Sequence, residues 1–210
     1  SLIAVSLKKI GLAPGVVESG GASARSQRGR EVCIDKRGFA KADPASKSTR
    51  DEPFTLVGKV TFFGTDKNRR EYIRGDDYSQ TIYGLDGKEN IIAGGGDDII
   101  YPGSGLSHVR GGTGSDLIVF RRDSYTDGGR NFTFVKDWKL SDNDRLAFNG
   151  YLKDQVFITA SPITSNKDRV NLYLHGIAVA QFKNISLEDM QQIIDNAHFS
   201  VAPTIAPTLF

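Results

Sequence analysis

A nine-residue repeat from Gly75 to Val119 constrains the fold more than any other feature of the chain. Divided into nines, the stretch reads GDDYSQTIY, GLDGKENII, AGGGDDIIY, PGSGLSHVR and GGTGSDLIV. The eighth position of every unit is a branched aliphatic residue: Ile82, Ile91, Ile100, Val109 and Ile118. Because one short unit cannot bury its apolar residue alone, we expect the units to stack and share an aliphatic column.

The other regular positions of the repeat suit a turn that holds a cation. Glycines at the first, second and fourth positions permit positive φ and let the backbone approach an ion closely. The sixth position is Gln80, Glu89, Asp98, Ser107 and Asp116 in the successive units. Carboxylate and carbonyl oxygens are the ligands that Ca²⁺ prefers. The pattern therefore indicates short strands joined by calcium-binding turns.

This register resembles the G-G-x-G-x-D-x-U-x nonapeptide of the RTX, or haemolysin-type calcium-binding, family, in which U is a large apolar residue. The resemblance implies a parallel β-roll with Ca²⁺ as cofactor, in which two units make one coil and loops eighteen residues apart share an edge. Asp98 and Asp116 then share an edge, and we expect one calcium ion between them. The loop residues assigned to this site are Gly94, Gly96, Asp97, Gly112 and Gly114.

The opposite edge departs from the family pattern. Leu85 and Pro102 stand where glycines belong, and Ser107 replaces the aspartate. Glu89 remains a candidate ligand on this edge. The alternative for the whole repeat is a degenerate roll that its aliphatic column holds together and that binds no metal.

The segment after the repeat also resembles RTX-containing proteins, through Val135-Lys136-Asp137-Trp138 and the strand that begins at Asp144. In that family the first of these aspartates often helps to bind an ion at the end of the roll. Asp137 and Asp144 are therefore secondary calcium candidates. Ordinary turn chemistry around Asp142-Asn143-Asp144 is the equal alternative.

We expect an all-β fold: a short parallel β-roll, capped by a β-rich C-terminal unit with one helix and preceded by an extended N-terminal arm. The predicted units are a basic arm at 1–54, a capping strand or hairpin at 55–74, the roll at 75–119 and the cap at 120–210. The helix is placed at about 186–197, because Ser186 is a good N-cap and an apolar stripe follows it.

Charge and composition limit the partners. The formal net charge is +2, and this small charge does not indicate a nucleic-acid partner. Residues 1–60 carry 11 Lys and Arg against 6 Asp and Glu, which favours a solvated, flexible arm. Docking of this arm to an acidic protein partner is the alternative. Cys33 is the single cysteine, which excludes an intrachain disulfide. No apolar run approaches the ~18 residues of a transmembrane helix.

Catalytic motifs are missing from the sequence. The three histidines, His108, His175 and His198, do not form the H-E-x-x-H spacing of zinc proteases. Neither a G-x-S-x-G elbow nor a phosphate-binding loop occurs, since the glycine-rich runs follow the nonapeptide register. We therefore expect the chain not to be an enzyme.

The sequence favours a non-enzymatic, RTX-like structural protein whose roll is stabilised by Ca²⁺. Extracellular calcium modules bind at roughly 10⁻⁴–10⁻³ M, so we expect a secreted or cell-surface location. One alternative is a scaffold subunit of a large, membrane-associated complex, with degenerate repeats and a docking N-terminal arm. A further alternative is an accessory part of a larger secreted enzyme or toxin.

Overall fold

Two β-sheets contain most of the regular structure in the described part of the chain. A computed structural model describes residues 22–25, 32–34, 39–42, 47–65, 69–125, 131–160 and 169–200. In chain order the strands are β1 (Ala22–Arg25), β2 (Val32–Ile34), β3 (Phe39–Ala42), β4 (Phe54–Gly58), β5 (Thr61–Phe63), β6 (Arg70–Arg74), β7 (Thr81–Tyr83), β8 (Asp86–Gly95), β9 (Ile99–Tyr101), β10 (Ser104–Thr113), β11 (Leu117–Arg121), β12 (Phe132–Val135), β13 (Arg145–Asn149), β14 (Val156–Ala160), β15 (Arg169–Leu174), β16 (Ile177–Lys183) and β17 (His198–Ser200).

Within the described residues, one sheet has nine strands and the other has eight. Their spatial orders are β1-β4-β6-β8-β10-β12-β16-β15-β14 and β17-β13-β11-β9-β7-β5-β3-β2. From β3 to β13 the chain passes from one sheet to the other at every loop, and strands that follow one coil apart pair in parallel. The chain therefore winds as a flattened coil.

The coil has a period of eighteen residues through the repeat. Ile82 pairs with Ile100 in the eight-stranded sheet, and Ile91 pairs with Val109 in the nine-stranded sheet. We call the loops that leave the nine-stranded sheet the first edge, which comprises residues 75–80, 96–98, 114–116 and 136–144. The loops that return to that sheet form the second edge, which includes residues 84–85 and 102–103.

The prediction of a short roll with a separate cap and an extended arm is wrong. In the described residues the two long sheets continue on both sides of the repeat, and the parallel pairing runs from β3 to β17 in the eight-stranded sheet. Part of the predicted arm, β3, is a strand of this sheet. Since a stack that stopped at the repeat would expose unpaired backbone at both ends, flanking segments without the nonapeptide pattern continue it.

Much of the predicted arm lies outside the described residues, at 1–21, 26–31, 35–38 and 43–46. The two strands there that the structure describes, β1 and β2, pair antiparallel with β4 and β3 respectively. The proposed division of the chain at residue 54 stays a prediction.

The core lies between the two sheets and is built on two facing aliphatic columns. Its central residues are all at most 2% exposed: Ile73, Ile91 and Val109 from one sheet, and Ile82, Ile100 and Ile118 from the other. Aromatic side chains extend the same cluster at both ends of the stack, among them Phe54, Phe62, Phe120, Phe148 and Phe182. The period of the coil thus places every eighth-position residue of the repeat inside.

The C-terminal part closes one end of the coil with a hairpin and a helix. Strands β14, β15 and β16 pair antiparallel, and α1 (Leu187–Asp195) packs against β13, β14 and β15. Ser186 caps the helix, since its Oγ accepts a hydrogen bond from the Asp189 N–H at 3.1 Å. Met190 and Ile194 are the buried residues of α1. In the described residues, no helix is long and apolar enough to cross a membrane.

We expect Ile100→Ala to lower the free energy of unfolding by about 2–5 kcal/mol, because Ile100 is fully buried in the aliphatic column. Ile99→Ala is the matched control, since Ile99 lies in the same strand but is only partly buried on the opposite face, and about 1 kcal/mol is expected. Urea unfolding of both variants measures the difference. Equal losses would contradict the inward column as the main support of the coil.

Candidate metal centre

Side chains at the sixth position stack into a column along the first edge. Gln80, Asp98 and Asp116 follow one another at intervals of one coil and are at most 2% exposed. The Gln80 N–H donates to Asp98 Oδ1 at 2.7 Å, and the Asp98 N–H donates to Asp116 Oδ1 at 3.0 Å. The Asp116 N–H continues the series by donating to Asp144 Oδ1 at 3.2 Å. Each carboxylate is therefore fixed by the backbone of the preceding coil.

The other oxygen of each aspartate, and the single side-chain oxygen of Gln80, have no such partner. Asp98 Oδ2, Asp116 Oδ2 and Gln80 Oε1 are buried and accept no hydrogen bond from the described residues. A buried oxygen without a donor costs free energy, and a buried carboxylate costs more unless a cation accompanies it. The first edge thus presents three unsatisfied oxygens in one column.

The acids of this edge raise one another's pKa values. Burial raises the pKa of Asp98 to about 8, and the charges of Asp116, Asp76 and Asp97 add to this effect. Burial likewise raises the pKa of Asp116 to about 7, with further contributions from Asp144, Asp137 and Asp97. The hydrogen bonds from backbone N–H groups lower both pKa values, but their effect is smaller than that of burial. The column favours a neutralising proton or a bound cation.

The first position of each unit lies beneath the sixth-position side chain of the same unit. A Cβ added to Gly111 would lie 2.1 Å from Asp116 Oδ2, and one added to Gly75 would lie 2.1 Å from Gln80 Oε1. Both glycines lie outside the positive-φ region, so space rather than backbone conformation excludes a side chain there. The small Ala93 occupies the equivalent place beneath Asp98.

Glycines at the second and fourth positions allow the loops to stack directly on one another. Gly112 has a φ of 109°, and a Cβ there would lie 1.8 Å from the Gly94 carbonyl oxygen. Gly114 repeats this relation with the Gly96 carbonyl oxygen at 2.3 Å. Of the four glycines predicted for the site, Gly96 and Gly114 lie in the loops of the first edge, and Gly94 and Gly112 lie at the ends of the strands that lead into them. They let the backbones of successive coils approach each other closely.

The remaining candidates of the first edge have different environments. Asp97 is exposed, and its Oδ1 accepts from the Ser115 N–H at 2.8 Å, so it links two loops outside the buried column. Asp137 Oδ1 accepts from the Gly111 N–H at 3.1 Å. Asp144 accepts at both oxygens, since Oδ2 takes the Lys139 N–H at 3.0 Å. Burial raises the pKa values of Asp137 and Asp144, which lie beside the column at its C-terminal end.

Glu89 lies near the start of β8, beside the second edge and half a coil before Asp98. The Ser107 hydroxyl donates to Glu89 Oε2 at 2.8 Å, while Oε1 is buried without a partner in the described residues. Burial raises the pKa of Glu89 to about 9, so the side chain is a neutral acid at pH 7. The replacement of the aspartate by Ser107 thus pairs a hydroxyl with a protonated carboxyl, which needs no metal.

Gln80 was not among the predicted metal ligands, but it lies in the same column as Asp98 and Asp116. Its Nε2 donates to Asp76 Oδ1 at 2.6 Å and to the Gly58 carbonyl at 3.1 Å, while Oε1 has no hydrogen-bond donor in the described residues. The signal in the sequence was its place in the register, eighteen residues before Asp98.

The donor set suits Ca²⁺ better than a softer metal, because it consists of oxygens only. Two of the orphaned oxygens are carboxylate oxygens, and the stacked loops carry backbone carbonyls. In the described residues, no group of three or more His, Cys, Asp or Glu side chains converges on one metal position. An ion at this edge would accordingly depend on backbone and amide oxygens in addition to Asp98 and Asp116.

Comparison of the chain with models of protein families, with curated proteins and with solved structures finds no match.

In chelator, we expect the free energy of unfolding to fall as the pH rises from about 4 to about 8. The folded chain keeps protons on Asp98 and Asp116 that the unfolded chain, with aspartate pKa values of about 3.9, has already released. Asp98→Asn with Asp116→Asn should reduce this slope, whereas Asp154→Asn, at an exposed position, should not. Urea unfolding at about pH 5 and about pH 8 is the measurement. A slope that the double variant leaves unchanged would contradict burial of these carboxyls.

Proposed function

We propose that this protein is a non-enzymatic structural protein that binds Ca²⁺ at the first edge of its coil, in the manner of RTX repeats. The observation that carries the proposal is the pair of buried, unpartnered oxygens, Asp98 Oδ2 and Asp116 Oδ2, one coil apart. Their partner oxygens are held by backbone N–H groups, so the two carboxylates are already oriented before any ion arrives. This preorganisation lowers the cost of binding.

Bound calcium would supply the positive charge that the buried column lacks. Asp98 and Asp116 would hold the ion, and Gln80 Oε1 is an uncharged oxygen without a donor in the same column. The ordering of glycine-rich loops opposes folding through conformational entropy. An ion that binds only the folded loops offsets this cost and stabilises the stack.

The proposed location is extracellular or on the cell surface, where calcium is plentiful enough for a module of roughly 10⁻⁴–10⁻³ M affinity.

The proposal of a non-enzymatic role rests on the surroundings of the histidines. His108 stacks on Phe134 with ring centroids 5.0 Å apart, and His175 lies in the turn between β15 and β16. Neither of these two arrangements pairs a histidine with a nucleophile or a carboxylate.

A metal-independent scaffold subunit is the second candidate. It is favoured by the raised pKa values of Asp98 and Asp116, because protons can neutralise the column near pH 7 without an ion. The hydrogen bonds between successive coils and the aliphatic columns would then support the fold by themselves. Docking through the basic arm, which this candidate requires, lies mostly outside the described residues.

We expect ~10 mM Ca²⁺ to raise the free energy of unfolding by about 1.4–2.7 kcal/mol, which is the linkage expected for affinities of 10⁻⁴–10⁻³ M. Asp98→Asn and Asp116→Asn should each abolish most of this gain, because each removes one of the two anionic ligands. Thermal melting with calcium and with chelator, followed by circular dichroism, measures the effect.

Asp154→Asn is the matched control for this titration, since it removes an exposed carboxylate outside the coil edge. It should respond to calcium like the original chain. A chain that melts at the same temperature in calcium and in chelator would refute the calcium proposal and support the scaffold candidate.

Calcium stabilisation should also increase with pH. Because Ca²⁺ binds deprotonated carboxylates, it must displace protons from groups whose pKa values are about 8 for Asp98 and about 7 for Asp116. We expect weaker calcium binding at about pH 6 than at about pH 8, with proton release that calorimetry in buffers of different ionisation enthalpy can count. Binding that is independent of pH, without proton release, would place the ion elsewhere.

A further inference from the structure

The outer face of the nine-stranded sheet carries a groove lined by cationic side chains. We call it the basic groove and define it by Arg50, Arg70, Lys88, Arg110 and Lys136. Its volume is about 270 Å³. The groove lies on the opposite side of this sheet from the aliphatic core, and it takes no part in the proposed calcium site.

Two cations of the groove, Arg110 and Lys136, belong to a row of cations that crosses the strands and extends beyond the groove. Arg110 pairs with Ile92 on β8, which pairs in turn with Arg74 on β6. On the other side, Lys136 directly follows Val135, the partner of Val109, so it continues the row beyond Arg110. The same register leads to Lys183, next to Phe182, and then to its partner Arg169. Adjacent strands lie about 4.8 Å apart, so the cations from Arg110 to Arg169 follow one another on successive strands at about this interval. Ile92 separates Arg110 from Arg74 on the other side.

The cations of the basic groove form no ion pair with an acid of the described residues, although the charge of Arg110 acts on Asp137 and opposes the rise in the pKa of that carboxyl. In the described residues, the ion pairs are Arg69–Glu71, Arg121–Asp123, Lys139–Asp142 and Lys153–Asp195, none of which includes a cation of the basic groove. Glu89 is the acid among the lining residues, but it is 1% exposed and its pKa is raised to about 9 by burial. It therefore contributes little negative charge at pH 7.

The cations also act on one another. Burial lowers the pKa of Lys136, and the charges of Arg110, Arg169 and Lys183 lower it further. His108, which lines the same groove, has its pKa lowered by burial and then by Lys136, Arg70 and Arg110. Like charges at this spacing repel in the unbound chain, so an anion with several charges would gain from all of them at once.

Of the two aromatic residues that line the groove, Tyr72 is partly buried and His108 has one ring face covered by the neighbouring Phe134. Phe134 is stacked on His108 at 5.0 Å with an interplanar angle of 18°, and Lys136 Nζ lies 4.7 Å from the centre of its ring. Single-stranded nucleic acids bind mainly through bases stacked on exposed aromatic faces. Asn90, another lining residue, needs a hydrogen-bond donor, because its Oδ1 is buried and has none in the described residues. A hydroxyl group of a ligand would satisfy it.

We propose that the basic groove binds a linear acidic polysaccharide, with carboxylate or sulfate groups on the cation row and a sugar hydroxyl on Asn90. A row of cations on successive strands matches a polymer whose anionic groups repeat along an extended chain. Hydroxyl groups accompany the anionic groups in such a polymer, which accounts for the amide beside the cations. This inference does not depend on calcium.

The test is binding of the full chain to heparin, a sulfated polysaccharide with uronate groups, in chelator at low salt. Arg110→Ser and Arg74→Ser should each weaken binding about fivefold, as expected for loss of one ion pair of about 1 kcal/mol. Arg145→Ser is the matched control, because Arg145 is an exposed strand arginine of the other sheet, and it should bind like the original chain. Melting curves establish that each variant is folded.

Two further probes separate the polysaccharide from other ligands. Uncharged dextran should not bind, and oligodeoxythymidylate of similar charge should bind more weakly than heparin. Tighter binding of the oligonucleotide, with the same dependence on Arg110, would overturn the proposal in favour of a nucleic acid. Absence of heparin binding, or an equal loss in Arg145→Ser, would overturn it altogether.

Discussion

The eighteen-residue period of the coil is the constraint on which the rest of this structure depends. Parallel pairing between successive coils places each residue directly beside the residue one period later, so that Ile82 meets Ile100 and then Ile118. The same parallel pairing keeps the loops in register, so Gln80, Asp98 and Asp116 also lie next to one another. Burial of the aliphatic columns and accumulation of acids at one edge are two results of a single geometry.

The two edges resolve this accumulation in different ways. On the second edge, Ser107 follows Glu89, and a hydroxyl donor replaces the next carboxylate. On the first edge two aspartates follow one another, and each has one oxygen held by a backbone N–H and another with no donor. A serine at the sixth position therefore gives the carboxyl of the preceding coil a side-chain donor, which the aspartates of the first edge do not have.

The register between neighbouring strands also explains the row of cations on the outer face of the nine-stranded sheet. Residues on successive strands share a row, so Arg110, Lys136 and Lys183 lie side by side without acids between them. The aliphatic columns, the acids of the first edge and the cation row thus all arise because neighbouring strands place residues side by side. Mutual repulsion within a row is tolerated because the hydrogen bonds and the core fix the spacing, and each charged row is suited to a ligand of opposite charge.

The sequence by itself determined the repeat, its inward aliphatic positions and the pairing of Asp98 with Asp116 on one edge, because a fixed period dictates which residues come together. It also placed Glu89 apart from them. The length of the sheets was decided only by the tertiary structure, since β3, β5 and β13 pair through backbone groups and carry no nonapeptide pattern. The unpartnered oxygens, the space beneath Asp116 that excludes a side chain at Gly111, and the cation row depend on contacts between coils, which no single unit of the repeat reveals.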